Sequence, residues 1–184
     1  MDVQGFREWR ERYEAAGIGS NERVPPELVR LGREADVILA SDAPRAVESA
    51  RLISSGAEPV VSPLLRDLDL DLDSLEFLGM RLPFHVWALG VGGRTLMLGL
   101  RGEYPSAAES GRIRAASEWI TELSETRGSI IAVTHASFRK QLAKQLESDG
   151  WRAQPGRRSL RPWSAWALNG DASPFAGEPG NFSP

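Results

Sequence analysis

Apolar positions along the chain fall into alternating helix-like and strand-like stretches. Phe6, Trp9 and Tyr13 recur at helical spacing around Arg10, which predicts an opening helix with three aromatics on its core side and Gly17 as its end. After a polar, proline-containing stretch, a short helix is expected over 27–34. The run Val37-Ile38-Leu39-Ala40 follows, short, rich in β-branched residues and bounded by turn residues, which reads as a buried parallel strand. Residues 43–53 then read as a helix with Ser41 or Asp42 as cap and Pro44 in the first turn, where a missing amide hydrogen costs nothing.

The alternation continues. Residues 58–62 form a second strand candidate, and 65–72 alternate leucine with charge. Residues 109–127 carry Ile113, Ala116, Ile120 and Leu123 on one helical stripe, with Gly128 as the stop. Ser129-Ile130-Ile131-Ala132-Val133-Thr134 is the clearest buried strand in the chain, His135 sits at its carboxyl end, and a helix is expected over 137–146. A last strand is expected over 162–168. Strands alternating with helices predict an α/β fold, a three-layer α/β/α sandwich around a mostly parallel sheet. One domain over 1–168 is expected, with a disordered tail at 169–184, rich in Gly, Pro, Ser and Asn. The most apolar window, 82–100, contains Pro83, His85, Arg94 and four glycines and reads as a buried helix or helical pair, with no membrane span.

Composition narrows the chemistry. The chain has 184 residues, no cysteine and two histidines, His85 and His135, so thiolate metal sites, Fe–S clusters, a cysteine nucleophile and a His₃ zinc site are excluded. A net charge of −3 gives no general attraction to nucleic acid or to an anionic membrane, so any basic site is local. Twenty arginines against two lysines favour fork-shaped recognition of oxyanions over point charges. The opening residues lack the basic and apolar regions of a signal peptide, and the cytoplasm is the expected compartment.

Two predicted strand ends carry the candidate chemistry, because open α/β sheets bind ligands outside the carboxyl ends of their strands. One bears Ser41-Asp42-Ala43-Pro44-Arg45 and the other Thr134-His135-Ala136-Ser137. An arginine in the first turn of one helix and a histidine before another suit a phosphate or another oxyanion. The competing reading pairs Arg45 with Glu48 on a surface helix and leaves His135 a hydrogen-bonded core residue.

The stretch from Ser41 to Ala50 resembles the Ser-x-x-x-Arg-Ala-x-x-Ser/Thr-Ala element of the histidine phosphatase superfamily, the phosphoglycerate-mutase-like proteins. The strand ending in Thr134-His135-Ala136 is similar to that family's later His-Gly strand. Leu65-Arg66-Asp67-Leu68 resembles the segment carrying its acidic residue, and Glu109-Ser110 with the long helix resembles the lead into its second histidine. The opening around Tyr13-Glu14-Ala15-Ala16-Gly17 and the ending from Trp151 to Trp163 are similar to a small bacterial branch. The resemblance implies a metal-independent phosphatase or phosphoryl-transfer protein without a cofactor. Arg45 would bind phosphate, His135 would donate to the phosphoryl group, and Asp67 would protonate the leaving oxygen. Its ligand would be a phosphorylated small molecule or phosphoprotein.

The family's nucleophile, in an Arg-His-Gly motif ending a first strand, has no counterpart in this sequence, and His85 reads as a core or lid residue. Either Met1 is an internal start downstream of that strand, or the chain is a phosphate-binding pseudoenzyme or interaction module. Loss of a central strand would leave strand edges unpaired, which favours the first expectation. A calcium loop over Asp67, Asp69, Asp71 and Asp73 lacks the required Gly and Glu, so no metal is expected. The cluster of Arg152, Arg157, Arg158 and Arg161 between Trp151 and Trp163 reads as a solvated loop packed by its tryptophans, not a nucleic-acid surface.

Overall fold

The computed structural model describes residues 3–19, 22–69, 83, 86, 89, 90, 93, 97, 104–156 and 158–170. It is a mixed α/β structure that divides into two compact units, one of Met1–Ala16 and Leu68–Gly111, the other of Gly17–Asp67 and Arg112–Pro184.

In the first unit, helix α1 (Val3–Ala15) brings Trp9 within 5.6 Å of Phe6 and stacks it on Tyr13 at 5.5 Å. The aromatic stripe is core only at Phe6; Tyr13 is exposed, because the stack satisfies its ring locally. Asp69 pairs with Arg10 at 3.2 Å and does not join a cation site, and among the described residues no group of three His, Cys, Asp or Glu side chains could hold a metal. In the 82–100 window, Val86, Leu89, Gly90, Gly93 and Met97 are helical but exposed, so the expectation of burial fails at these positions. His85 and Arg94 lie outside the described residues, as do Asp71, Asp73, Arg157 and 171–184.

The second unit is built on a parallel sheet of order β2-β1-β3, with β1 at Val37–Ser41, β2 at Val60–Ser62 and β3 at Ile130–Val133. Register runs Leu39 to Val60 and Ser41 to Ser62 on one side, and Val37 to Ile130 and Ala40 to Val133 on the other. Parallel strands need crossover connections, and helices supply them. Helix α2 is Pro26–Glu34, α3 is Pro44–Ile53, α4 is Ala107–Arg127 and α5 is Ala136–Ser148. Helix α3 packs on β1 and β3, and α2 packs on α3. Gly32 permits this close approach, since a Cβ there would collide with the backbone carbonyl of Ile53.

Helical spacing decides what is buried. Ala46, Ala50 and Ile53 of α3, Ile113, Ala116 and Ile120 of α4, and Phe138, Leu142 and Leu146 of α5 are buried together with Leu39 and Ala40 of β1. Each such large side chain contributes about 1.5–3 kcal/mol by leaving water. β3 differs from its predicted burial: all four residues are part-exposed, because β3 is an edge of the sheet among the described residues.

The strand expected over 162–168 is reduced to β5 (Leu168–Asn169), antiparallel to β4 (Arg152–Ala153) in a separate two-stranded sheet. What orders the preceding loop is side-chain chemistry. The Arg139 guanidinium donates to the carbonyls of Ser159 and Ser164 and lies 4.9 Å from the Trp166 ring, with Arg158 at 5.2 Å from the same ring. Burial pulls the Arg139 pKa down. Arg158 also pairs with Glu147, so this member of the arginine cluster is engaged within the protein. No helix among the described residues is long and apolar enough to cross a membrane.

Candidate functional site at the carboxyl ends of the strands

Because the three strands are parallel, their carboxyl ends open on one side, and the segments that follow them meet there. β1 ends at Ser41, which is fully buried. Neither Ser41 nor Asp42 caps α3: Ala43 occupies the cap position without a side-chain bond, and Ser41 Oγ instead accepts the Ala43 N–H at 3.3 Å. The reason is length, since the strand runs one residue further than its apolar run. Arg45 then falls in the first turn of α3, behind Pro44.

β3 ends at Val133, and His135 takes the cap position of α5 in an extended conformation with φ −99 and ψ 155. Its ring reaches back across the sheet. Nδ1 lies 3.0 Å from Arg45 Nη2, and Nε2 lies 3.0 Å from Ser41 Oγ. A guanidinium is a donor only, so Nδ1 accepts from Arg45. The ring of neutral His135 therefore carries its proton on Nε2 and donates it to Ser41. Arg45 and His135, 90 residues apart, are brought into direct contact. Glu48, the competing partner considered for Arg45, accepts the Ile18 N–H at 2.8 Å.

Asp67 arrives from β2. After β2, a single 3₁₀ turn at Pro63–Leu65 redirects the chain; the leucine-charge alternation forms no strand over 66–69. Arg112 of α4 fixes this segment, donating to the carbonyls of Leu64 at 3.0 Å, Arg66 at 2.7 Å and Asp67 at 3.0 Å while its guanidinium lies 4.6 Å from the Phe138 ring. Thr134 Oγ1 donates to the Leu65 carbonyl at 2.6 Å. The Asp67 carboxylate then accepts a hydrogen bond from Ser137 Oγ, two residues past His135.

A second link closes the mouth. Arg66 Nε donates to both carboxylate oxygens of Asp42, at 2.7 and 2.9 Å. The hydrogen bond from Arg66 holds the Asp42 carboxyl below the usual carboxylate range, and the charge of Arg66 acts in the same direction. Neither α3 nor α5 has a side-chain cap; in the first turn of α3, Pro44 carries no amide hydrogen and the Ala46 N–H donates to the Ala43 carbonyl at 2.9 Å.

All three residues singled out from the sequence, Arg45, His135 and Asp67, thus lie in segments that leave the same end of the sheet. Ser41 as the partner of His135, Ser137 as the partner of Asp67, and Arg112 as the clamp were not singled out. Ser137 had a signal, its place two residues after the histidine. Arg112 had none, since a carbonyl-binding arginine on a helix looks like any solvated one. A cation, an imidazole N–H and two helix amino termini at one end of the sheet form a donor-rich group suited to an oxyanion. No protein-family model, no curated protein and no solved structure matches this chain.

Proposed function

We propose that this chain binds the phosphoryl group of a phosphomonoester in the manner of the histidine phosphatase superfamily, as a three-layer α/β/α protein whose sheet presents Arg45 and His135 to the ligand. The observation that carries the reading is the Arg45–His135 contact at 3.0 Å, between the first turn of α3 and the cap position of α5. Arg45 supplies the charge and a forked donor, and His135 supplies a neutral N–H that can turn from Ser41 to a phosphoryl oxygen. Asp67 stands on the loop beside them for proton transfer with the ester oxygen. Phosphatase or phosphoryl-transfer activity is the chemistry the resemblance implies.

A second reading, a phosphate-binding module without turnover, has a specific observation in its favour. Both nitrogens of His135 are engaged, one by Arg45 and one by Ser41, so the imidazole presents no lone pair for attack on phosphorus. The test separates binding from turnover. Isothermal titration with phosphate and with vanadate is expected to show saturable binding that Arg45→Ala weakens by roughly 10- to 150-fold; unchanged affinity in the variant removes the pocket. Release of phenolate from an aryl phosphate distinguishes the two readings once binding is seen.

A further inference from the structure

We propose that Ser137 is the phosphoryl-accepting nucleophile of this site, with Asp67 as the base that takes its proton; the proposal rests on the phosphomonoester reading above. A nucleophile needs a proton acceptor within reach and an electron pair free to attack. Ser137 Oγ already directs its proton at Asp67 Oδ1. The other hydroxyls described near the site differ in kind: Ser41 is fully buried and its oxygen accepts from the Ala43 amide and from His135, and Thr134 Oγ1 donates to the Leu65 carbonyl. Ser137 is part-exposed and faces a carboxylate.

The carboxylate is held for this task. Arg112 binds the backbone carbonyl of Asp67 itself and those of Leu64 and Arg66, and Thr134 holds Leu65, so the backbone that carries the base is tethered. The hydroxyl is held as well, because Ser137 is the second residue of the 13-residue helix α5, whose next residue, Phe138, is fully buried. An aspartate accepting the proton of an attacking hydroxyl is the arrangement phosphoryl transfer uses when the nucleophile is an alcohol.

The step balances without a further reactant. Ser137 Oγ forms a bond to phosphorus, the ester P–O bond breaks with its electron pair going to the departing oxygen, and the Ser137 proton passes through Asp67 to that oxygen. The products are an alcohol, phosphoserine at position 137 and an ionised Asp67. Phosphoserine in the first turn of a helix is favoured by the amide hydrogens and the helix dipole.

The experiment incubates the full chain with p-nitrophenyl phosphate and reads the intact mass after acid treatment, which cleaves phosphohistidine and spares phosphoserine; tandem mass spectrometry then places the adduct. One phosphoryl group on Ser137 is expected, absent in Ser137→Ala, kept in Ser137→Thr and formed roughly 100-fold more slowly in Asp67→Asn. Phosphate titration on the same samples reports the pocket separately. Wild-type protein that binds phosphate but gains no acid-stable adduct, or an adduct that persists in Ser137→Ala, overturns the nucleophile and leaves the pocket standing. Wild-type protein that neither binds phosphate nor gains an adduct overturns both. Because Asp67→Asn keeps the Ser137 hydroxyl, an unchanged rate in that variant removes the base even if Ser137→Ala fails to fold.

Discussion

The two ends of the parallel sheet use polar residues in opposite ways. At the amino end, Asp36 and Ser129 satisfy each other: Ser129 N and Oγ donate to Asp36 Oδ2 at 2.9 and 2.8 Å, and Asp36 N donates to the Ser129 carbonyl at 3.0 Å. This latch aligns the starts of β1 and β3 and leaves beside it a cavity of about 370 Å³, lined by Ile38, Val60, Trp119 and Leu123 with Arg127 on its polar side. At the carboxyl end, side chains from the segments after three separate strands converge on one another. Polar groups at the amino end complete the sheet; those at the carboxyl end tie together the segments that leave it.

The largest expected effect tests whether the carboxyl-end cluster depends on the core beneath it. Phe138→Ala empties a fully buried site under the Arg112 guanidinium and should cost about 3–5 kcal/mol in denaturant unfolding. The same variant should lose phosphate affinity, because Arg112 then lacks the ring that holds it over the Asp67 loop. Unaltered phosphate binding by a destabilised but folded protein would show that the loop is placed by other means.

Arg45→Ala breaks the comparison most directly. Loss of one charge-assisted donor is worth about 1.5–3 kcal/mol, or roughly 10- to 150-fold in phosphate affinity. Arg127→Ala, at the other end of the sheet, should leave that affinity unchanged. Equal losses in the two variants would mean that phosphate responds to overall charge and to no particular end.

A smaller, purely structural effect belongs to the latch. Gly128 has φ +101, and a Cβ there would stand 2.6 Å from Asp36 Oδ2. Gly128→Ala should cost about 1–2 kcal/mol from the left-handed backbone alone, with no change in phosphate binding. Lowered affinity in this variant would show that the two ends are coupled through the strands.

Much of this was legible in the sequence because it depends on local pattern. The spacing of Ile113, Ala116 and Ile120 and the run from Val37 to Ala40 identify α4 and β1, and Pro44 and Gly128 mark the boundaries. Arg45 and His135 could be singled out because a residue type at the end of a strand has few neighbours to choose among. What escaped depends on distant partners. The partial exposure of β3 follows from its place at the sheet edge, which its apolar run cannot reveal. The stretch over 162–168 reads as a strand, yet most of it is a loop shaped by Arg139, whose two carbonyl partners lie 20 and 25 residues away.

Acid separates the two ends next. Backbone and side-chain hydrogen bonds from Ser129 hold Asp36 below its ordinary value, as the Arg66 hydrogen bond holds Asp42. A carboxyl depressed in the folded state contributes stability above its unfolded pKa, about 3.9. That contribution is lost as the pH falls through the folded value. Thermal melts should therefore fall steeply below about pH 4, and Asp36→Asn and Asp42→Asn should each flatten the fall. Only Asp42→Asn should also alter phosphate affinity, raising it, because Asp42 is the one of the two carboxylates that lies at the carboxyl end of the sheet. A parallel rise in Asp36→Asn would place the phosphate at the latch.

The smallest expected effect concerns Val60. It is half-exposed on the edge strand β2 and borders the amino-end cavity, so little of its side chain leaves water on folding. Val60→Thr keeps the β-branched shape the strand accommodates and places a hydroxyl where water already reaches. Stability should change by no more than about 0.5 kcal/mol, and phosphate affinity should not change. A loss well above that would mean that Val60 is covered in solution and that the cavity is a packed interface, in which case the amino end, too, would have a ligand.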